Sequence, residues 1–233
     1  MTIPNILTVL RVVMIPFFIY FLLKNEPYAR WLALLLFMTA SITDFFDGYL
    51  ARKLNQDTKF GRFLDPFADK ALVVSTIVAF VYLDKLIPLW MILIIIGRDI
   101  LITAMRFLAI RKGVEVVTSR LAKAKTAFQM ISIFIILTIF VLRSYHQDIQ
   151  KTFAEGRKEG KMNIEIALDS FNKGIKATRT QSISSPTARG HFAESAPYFI
   201  MLLVTLLTAI SGLRYIYTNY LILVPPYKPE TDE

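Results

Sequence analysis

Cysteine is absent from this sequence, and histidine occurs only twice in its 233 residues. Disulfide bonds and thiolate metal sites are therefore excluded, and a zinc site would have almost no nitrogen or sulfur ligands to use. Charged residues are also scarce, at 19% of the chain, whereas soluble domains carry roughly a quarter. The chain therefore has fewer of the charged side chains with which a soluble protein covers its surface.

Apolar residues are abundant in their place. They make up 55% of the sequence, and the mean hydropathy is +0.49. A soluble domain of this length cannot bury so much apolar surface, so the lipid bilayer is the expected solvent. The net charge is +9, and the Lys and Arg residues cluster between apolar runs. This pattern favours membrane lipids with anionic headgroups and phosphate-bearing substrates as partners, and it argues against nucleic acid.

Six apolar stretches predict the fold, an all-α integral membrane protein with six transmembrane helices and an N-terminal interfacial segment. A spanning helix needs about 20 mostly apolar residues. The second and third stretches reach that length only by taking in the polar segment Thr43–Lys70, and polar residues inside a membrane are usually functional. The stretches are Ile6–Leu23, Trp31–Ile42, Ala71–Leu83, Leu89–Ile110, Thr126–Leu142 and Tyr198–Ile216.

Loop charges predict the orientation. Basic residues are concentrated between stretches two and three and between stretches four and five, whereas the alternate short loops carry few. The positive-inside rule then places both termini and these basic loops in the cytoplasm, in a multi-pass protein of the cell (inner) membrane. The predicted organisation has membrane helices 1–5 in residues 1–142 and a polar extramembrane insertion in residues 143–197. The sixth helix follows in residues 198–217, and a tail occupies residues 218–233.

Two pairs of aspartates form the chemical signal. Asp44 and Asp47 are three residues apart, and Asp65 and Asp69 are four apart, so each pair shares one helical face. The small residues Gly48, Ala51 and Gly61 follow the same stripes and allow close approach of backbones or of a flat ligand. Four carboxylates in one groove would repel each other unless divalent cations neutralise them. Oxygen-only ligation favours Mg²⁺, Mn²⁺ or Ca²⁺ over zinc, and Mg²⁺ or Mn²⁺, with two ions per site, is the prediction. The alternative is helix caps or salt bridges with Arg52 and Lys70.

These residues resemble the signature of the CDP-alcohol phosphotransferase family, Asp-x2-Asp-Gly-x2-Ala-Arg-x8-Gly-x3-Asp-x3-Asp. The sequence fills each fixed position, namely Asp44, Asp47, Gly48, Ala51, Arg52, Gly61, Asp65 and Asp69. The resemblance implies a six-helix membrane enzyme, usually a homodimer, with its site open to the cytoplasmic leaflet. It also implies that a CDP-linked donor is cleaved with release of CMP.

The resemblance also implies roles for single residues. Asp44, Asp47 and Asp65 would hold the metals, and Asp69 would complete the metal site and act as the general base. Gly48, Ala51 and Gly61 would leave room for the cytidine of the CDP-lipid, and Arg52 would meet phosphate charge with its forked guanidinium. Asn5, Thr8 and Arg11 share one face of the first helix. They either close the nucleotide pocket or serve as an interfacial anchor.

A second basic set indicates the acceptor. The segments around Asn5–Arg11, Gly97–Arg106 and Ser119–Gln129 resemble one branch of the family, in which CDP-diacylglycerol donates a phosphatidyl group to sn-glycerol 3-phosphate. The acceptor brings a phosphate dianion, which needs cations beyond those that serve the donor. The predicted acceptor-phosphate ligands are Arg98, Arg106, Lys123 and Lys125.

Other functions stay open at this point. Another alcohol, such as phosphatidylglycerol, inositol or serine, could be the acceptor in the same chemistry. A divalent-cation carrier could use the four aspartates as its transport site, but a carrier has no need of Gly48, Ala51 and Arg52 at fixed spacing. Phospholipid biosynthesis is therefore the predicted process.

Overall fold

Every regular element that the structure describes is a helix. This computed structural model describes residues 3–54, 59–112, 120–144, 162–181 and 186–220, and within them the side chains of 6–43, 67–68, 70–109, 111–112, 125–144, 162–178 and 189–220. The seven helices in these ranges confirm the all-α prediction. They are α1 (Ile3–Leu23), α2 (Pro27–Leu54), α3 (Lys59–Leu83), α4 (Leu89–Lys112), α5 (Arg120–Ser144), α6 (Asn163–Gln181) and α7 (Pro186–Thr218).

The polar segment after the second apolar stretch is helical over the part of it that the structure describes, as the sequence predicts. Helix α2 continues to Leu54, and α3 begins at Lys59, so both aspartate pairs lie inside long helices. The hydroxyls that precede Asp44 are satisfied within α2 itself. Thr39 donates to the carbonyl of Leu35 at 2.8 Å, and Ser41 donates to the carbonyl of Phe37 at 2.9 Å. This local bonding lets hydroxyl groups sit in an apolar helix without unsatisfied donors.

Helix α1 is one uninterrupted element, so the expected interfacial segment is not a separate element in the residues described here. The helix begins at Ile3 and continues to Leu23, and Pro16 lies inside it. It packs against α2 and α3, the two helices that carry the aspartates. Phe18 and Leu22 of α1 are buried in the main core with Phe37 of α2. Helix α1 therefore packs against and stabilises the two helices that carry the aspartates.

The remaining helices complete one bundle. Helix α5 packs against α2 and α7, and α4 packs against α7. Helix α6 packs closely along α7. A Cβ atom added at Gly174 of α6 would lie only 3.1 Å from Cε1 of the Phe192 ring on α7. Ile166 and Ala167 of α6 belong to the main core, so part of the insertion packs on the membrane helices. The sequence predicted a polar extramembrane segment here, and it did not indicate this packing.

Among the described residues, three helices are long and apolar enough to cross a membrane, namely α1, α5 and α7 over Ile6–Leu23, Lys125–Ser144 and Arg189–Thr218. This finding confirms a helical membrane protein but not the count of six spans. Many of the outward side chains are large and apolar, such as Leu10 and Phe17 on α1 and Leu206 and Ile210 on α7. Such a surface is stable against lipid acyl chains and would be costly in water.

Arg143, at the end of α5, joins three parts of the bundle. Its Nη1 donates to Asp84 Oδ2 at 2.8 Å, and its Nε and Nη2 donate to the carbonyls of Ala193 and Glu194 at 2.9 and 2.6 Å. Asp84 is 3% exposed and lies just after α3. A buried carboxylate of this kind needs its partner, so Arg143 links α3, α5 and α7 on this side of the bundle.

We expect Arg143→Leu to lower the free energy of unfolding by about 3–5 kcal/mol, because the buried Asp84 carboxylate loses its partner. Thermal or denaturant unfolding of the purified protein in detergent measures this loss. Arg143→Lys keeps the charge but cannot bond all three acceptors, so we expect an intermediate loss. Equal stability of the Leu variant and the parent protein would contradict this role.

Candidate active site

A cavity of about 600 Å³ opens between α2, α3, α4 and α5. Its polar lining comes from all four helices, in Ser41 of α2, Lys70 of α3, Arg98, Asp99 and Arg106 of α4, and Gln129 of α5. Apolar residues such as Val73 and Ile102 form much of the rest. A mostly apolar pocket with a few converging polar groups is the usual form of a small-molecule site.

Both aspartate pairs adjoin this cavity along the chain. Ser41 lies three residues before Asp44 on α2, which is one helical turn, and Lys70 directly follows Asp69 on α3. The helical backbones confirm that Asp44 and Asp47, like Asp65 and Asp69, are spaced by about one turn. The four carboxylate side chains lie outside the described set, so the predicted groove between them stays a prediction.

Asp99 organises the basic set. Its Oδ1 accepts hydrogen bonds from Arg98 Nη1 at 2.9 Å and from Lys125 Nζ at 3.0 Å. The Lys125 side chain is only 3% exposed, whereas Asp99 is 28% exposed. One carboxylate thus compensates two cations, and the group keeps a net positive charge. The charge pattern of the sequence identified Arg98 and Lys125, but it assigned no role to Asp99.

Of the other two predicted basic residues, the structure describes the side chain of Arg106 but not that of Lys123. Arg106 lines the same cavity as Arg98, as the spacing on one helical face predicts, and it is exposed. No ion pair connects Arg106 with any of the side chains that the structure describes. The Lys123 side chain lies outside that set. Arg106 is therefore the best-placed free cation for an anionic ligand in the described wall.

Lys70 adds a cation for which the sequence indicated only a salt bridge. Its Nζ donates to the Thr103 hydroxyl at 2.6 Å, and that hydroxyl donates to the Asp99 carbonyl at 2.7 Å. Lys70 therefore connects α3 to α4 at the cavity wall. Because Lys70 directly follows Asp69 in the chain, it extends the basic wall toward the second aspartate pair.

Gln129 is a lining residue to which sequence analysis assigned no role. It is 4% exposed, and its amide Nε2 has no acceptor among the described atoms. A buried amide donor without an acceptor is costly, so this group is suited to an oxygen of a bound ligand. The motif around Lys125 contains Gln129, but spacing alone does not show that the amide is unpaired.

Thr8 and Arg11 are fully buried in the packing of α1 against its neighbours. This burial excludes the interfacial-anchor alternative for these two side chains, because an anchor would project into the headgroup region. Their nucleotide contact stays a prediction. The side chains of Asn5, Gly48, Ala51, Arg52 and Gly61 lie outside the described set, although their backbones belong to α1, α2 and α3.

The chemistry of the donor set agrees with a hard divalent metal. Four carboxylates on two helices offer oxygen donors of the kind that such an ion binds, and the chain has no cysteine. Among the described side chains there is no group of three or more His, Asp or Glu residues that could hold a metal. The signature aspartates are outside that search, and they remain the residues that fit Mg²⁺ or Mn²⁺.

The part of the chain that carries these residues is similar to known proteins. Residues 1–153 match the family model described as CDP-alcohol phosphatidyltransferase. A protein of Rickettsia bellii is 46% identical over 149 residues, 63% of this chain and 78% of its own length. One of Cereibacter sphaeroides is 46% identical over 143 residues, 58% of this chain and 62% of its own length. One of Escherichia coli is 39% identical over 137 residues, which are 56% of this chain and 74% of its own length.

All three relatives carry the name CDP-diacylglycerol–glycerol-3-phosphate 3-phosphatidyltransferase. The chain spans about three-fifths of the length of the Cereibacter relative and about three-quarters of the other two. The family match ends at residue 153, so it includes α1 and the cavity helices α2–α5 and stops before α6 and α7.

Proposed function

Because the chain belongs to the CDP-alcohol phosphatidyltransferase family, we propose that it transfers a phosphatidyl group from CDP-diacylglycerol to sn-glycerol 3-phosphate. The products are phosphatidylglycerophosphate and CMP, as for a phosphatidylglycerophosphate synthase in phospholipid biosynthesis. The acceptor hydroxyl oxygen forms a bond to the donor phosphorus, and the bond from that phosphorus to the CMP oxygen breaks. The hydroxyl proton passes to a base.

The observation that carries the proposal is the charge of the cavity wall. Arg98, Arg106 and Lys70 line the cavity, and Asp99 is the only acidic residue among its described lining residues. The surplus positive charge suits a phosphate dianion, which glycerol 3-phosphate has and which inositol and serine lack. The cavity adjoins both aspartate pairs along the chain, so an acceptor bound there would lie near the donor phosphates. Proximity and orientation of this kind supply much of the acceleration in phosphoryl transfer.

Asp44, Asp47, Asp65 and Asp69 are the residues that would hold two Mg²⁺ or Mn²⁺ ions. When bound, such ions neutralise phosphate charge and stabilise the leaving oxygen. Asp69 is proposed to take the proton of the acceptor hydroxyl, since it precedes the cavity residue Lys70. Arg52 is proposed to meet donor phosphate, and Gly48, Ala51 and Gly61 are proposed to leave space for the cytidine, with Asn5 and Thr8 closing that pocket.

The proposed topology has six spans, α1–α5 and α7. Helices α2, α3 and α4 have 28, 25 and 24 residues, which exceeds the length of about 20 that a span needs. Each of them also carries charged residues at or next to the site, such as Arg98, Asp99 and Arg106 within α4. Residues of this kind persist in spans that line a protein interior. We propose that the site faces the cytoplasm of an inner-membrane homodimer.

An acceptor panel tests the proposed reaction. Purified protein receives CDP-diacylglycerol and Mg²⁺, and then glycerol 3-phosphate, phosphatidylglycerol, inositol or serine in separate assays. We expect CMP release and phosphatidylglycerophosphate only with glycerol 3-phosphate. Release with another alcohol alone would identify a different acceptor, and no CMP release with any acceptor would refute the transferase assignment and leave the cation carrier.

We expect Arg106→Ala to raise the KM for glycerol 3-phosphate about ten- to a hundredfold, because a hydrogen bond to a charged group contributes roughly 1.5–3 kcal/mol. The KM for CDP-diacylglycerol should change little. Arg111→Ala is the matched control, because Arg111 is on the same helix but packs over the Phe107 ring, 4.4 Å from its centroid, and is not a lining residue. A higher KM for CDP-diacylglycerol with an unchanged KM for glycerol 3-phosphate would show that Arg106 binds the lipid donor and not the acceptor.

A further inference from the structure

Helix α7 contacts the basic set, although it lies beyond the part of the chain that matches the family. Ser211 Oγ on α7 accepts a hydrogen bond from Arg98 Nη2 at 2.9 Å, across 113 positions of sequence. The Arg98 side chain is 12% exposed. The cavity-lining residue Arg98 is therefore hydrogen-bonded to α7, the last helix that the structure describes.

Gly212 makes this contact sterically feasible. A Cβ added at Gly212 would lie 2.8 Å from Cγ of Arg98, well inside the normal contact distance of carbon atoms. The aliphatic part of Arg98 thus runs directly over the α7 backbone. Even an alanine at this position would push the Arg98 side chain away from the helix.

The two helices are held together next to this contact. Tyr215 of α7, one turn after Ser211, is buried with Ile102 and Met105 of α4 in a small apolar cluster. Ile102 lies one turn after Arg98 on α4. Because the cluster fixes the distance between α4 and α7, a side chain added at Gly212 cannot be accommodated cheaply by separating the helices.

The orientation of a guanidinium decides what it can bind. The group is planar, and its N–H donors have a fixed fork geometry. Arg98 Nη1 is used by Asp99 and Nη2 by Ser211, so two separate helices define the plane of the group. The direction that Arg98 offers to an anion in the cavity is then set by α7 as well as by α4.

We propose that Ser211 and Gly212 are positioning residues for Arg98, so that α7 sets the geometry of the acceptor-phosphate site. This inference rests on the proposed function, since it assigns Arg98 to the phosphate of the acceptor. It extends the site to a helix that lies outside the residues matched by the family model. Neither residue contacts the reacting atoms, and both act through the guanidinium.

Steady-state kinetics with both substrates varied tests the proposal. Loss of one hydrogen bond should raise the KM for glycerol 3-phosphate about three- to tenfold in Ser211→Ala, with Ser211→Thr close to the parent protein. Gly212→Ala should raise it further, because the methyl group displaces Arg98. The KM for CDP-diacylglycerol should stay unchanged in all three. Equal rises of both KM values, or a lower kcat with unchanged KM values, would overturn the proposal.

Matched controls on α7 separate positioning from general damage to the helix. Thr205 is buried and donates to the Met201 carbonyl of its own helix at 2.8 Å, so Thr205→Val removes a hydroxyl without touching Arg98. Leu213 is 69% exposed and adjoins Gly212, so Leu213→Ala changes the outer face of α7. Both variants should keep the parent KM for glycerol 3-phosphate. An acceptor KM that rises as much in them as in Ser211→Ala would refute a specific role.

A double-mutant cycle gives a readout that does not need activity. Gly212→Ala should lower the Tm of the parent protein in detergent, because the methyl group collides with Arg98. In an Arg98→Ala background the collision is gone, so the same substitution should leave Tm unchanged or raise it. Additive effects would overturn the contact. Loss of this coupling refutes positioning, whereas a parent protein that fails to use glycerol 3-phosphate refutes the proposed function instead.

Discussion

Substituting Asn for Asp44, Asp47 or Asp65 should abolish phosphatidyl transfer. Each change keeps the size of the side chain but removes one negative charge and one of the oxygens proposed to bind the metals. Charge stabilisation by a bound divalent ion contributes several kcal/mol, and each 1.36 kcal/mol is a factor of ten, so we expect a loss of at least about a thousandfold. CMP release from CDP-diacylglycerol measures this loss.

Binding of Mn²⁺, followed by electron paramagnetic resonance of the purified protein, gives a second readout for these variants. Each should bind Mn²⁺ more weakly than the parent protein does. Asp169→Asn is the matched control, because Asp169 lies on α6, half exposed and paired with Lys173 at 3.2 Å. It should keep both turnover and Mn²⁺ binding. Near-normal turnover in any of the three variants would show that its aspartate is not a metal ligand.

Asp69→Asn should reduce kcat by about a hundred- to ten-thousandfold, which is the range lost when a general base is removed. Asp69 is one helical turn after Asp65 on α3 and adjoins the cavity residue Lys70. The variant should still bind CDP-diacylglycerol, since Asp44, Asp47 and Asp65 remain. The comparison of kcat with donor affinity therefore separates a base from a ligand.

Donor binding measured by titration with CDP-diacylglycerol distinguishes the two roles of Asp69. If Asp69→Asn loses donor affinity and turnover to the same extent as Asp65→Asn, its role is metal binding alone. Asp69→Glu keeps a carboxylate at a displaced position, so we expect it to recover part of the turnover lost in the Asn variant. No recovery, together with lost Mn²⁺ binding, would likewise argue against a base.

Helix positions were largely predictable because lipid imposes strict local rules. Backbone groups in a bilayer must bond within their own helix, so long apolar runs indicate helices directly. The first and fourth predicted stretches, Ile6–Leu23 and Leu89–Ile110, lie inside α1 and α4. The C-terminal end of each stretch is within two residues of the C-terminal end of its helix. The same length argument predicted that α2 and α3 extend into Thr43–Lys70, and α2 continues to Leu54 while α3 begins at Lys59.

The insertion was less predictable. Its amphipathic pattern indicates a helix, and α6 is present at Asn163–Gln181. Periodicity identifies an apolar face but not its partner, because many surfaces of a membrane bundle are apolar. That Ile166 and Ala167 pack into the main core, and that Arg143 reaches the start of α7, depends on how distant helices meet.

The sequence alone determined the family and the chemical residue types, because eight signature positions and the spacing of Asp44, Asp47, Asp65 and Asp69 are local properties of two helices. It also placed Arg98 and Arg106 on one face of α4, since helical geometry is fixed over short distances. Only the tertiary structure decided that Asp99 compensates Lys125 and that Ser211 and Gly212 hold Arg98. Those contacts join helices that are remote in sequence, and their distances are set by side-chain packing, which no local pattern encodes.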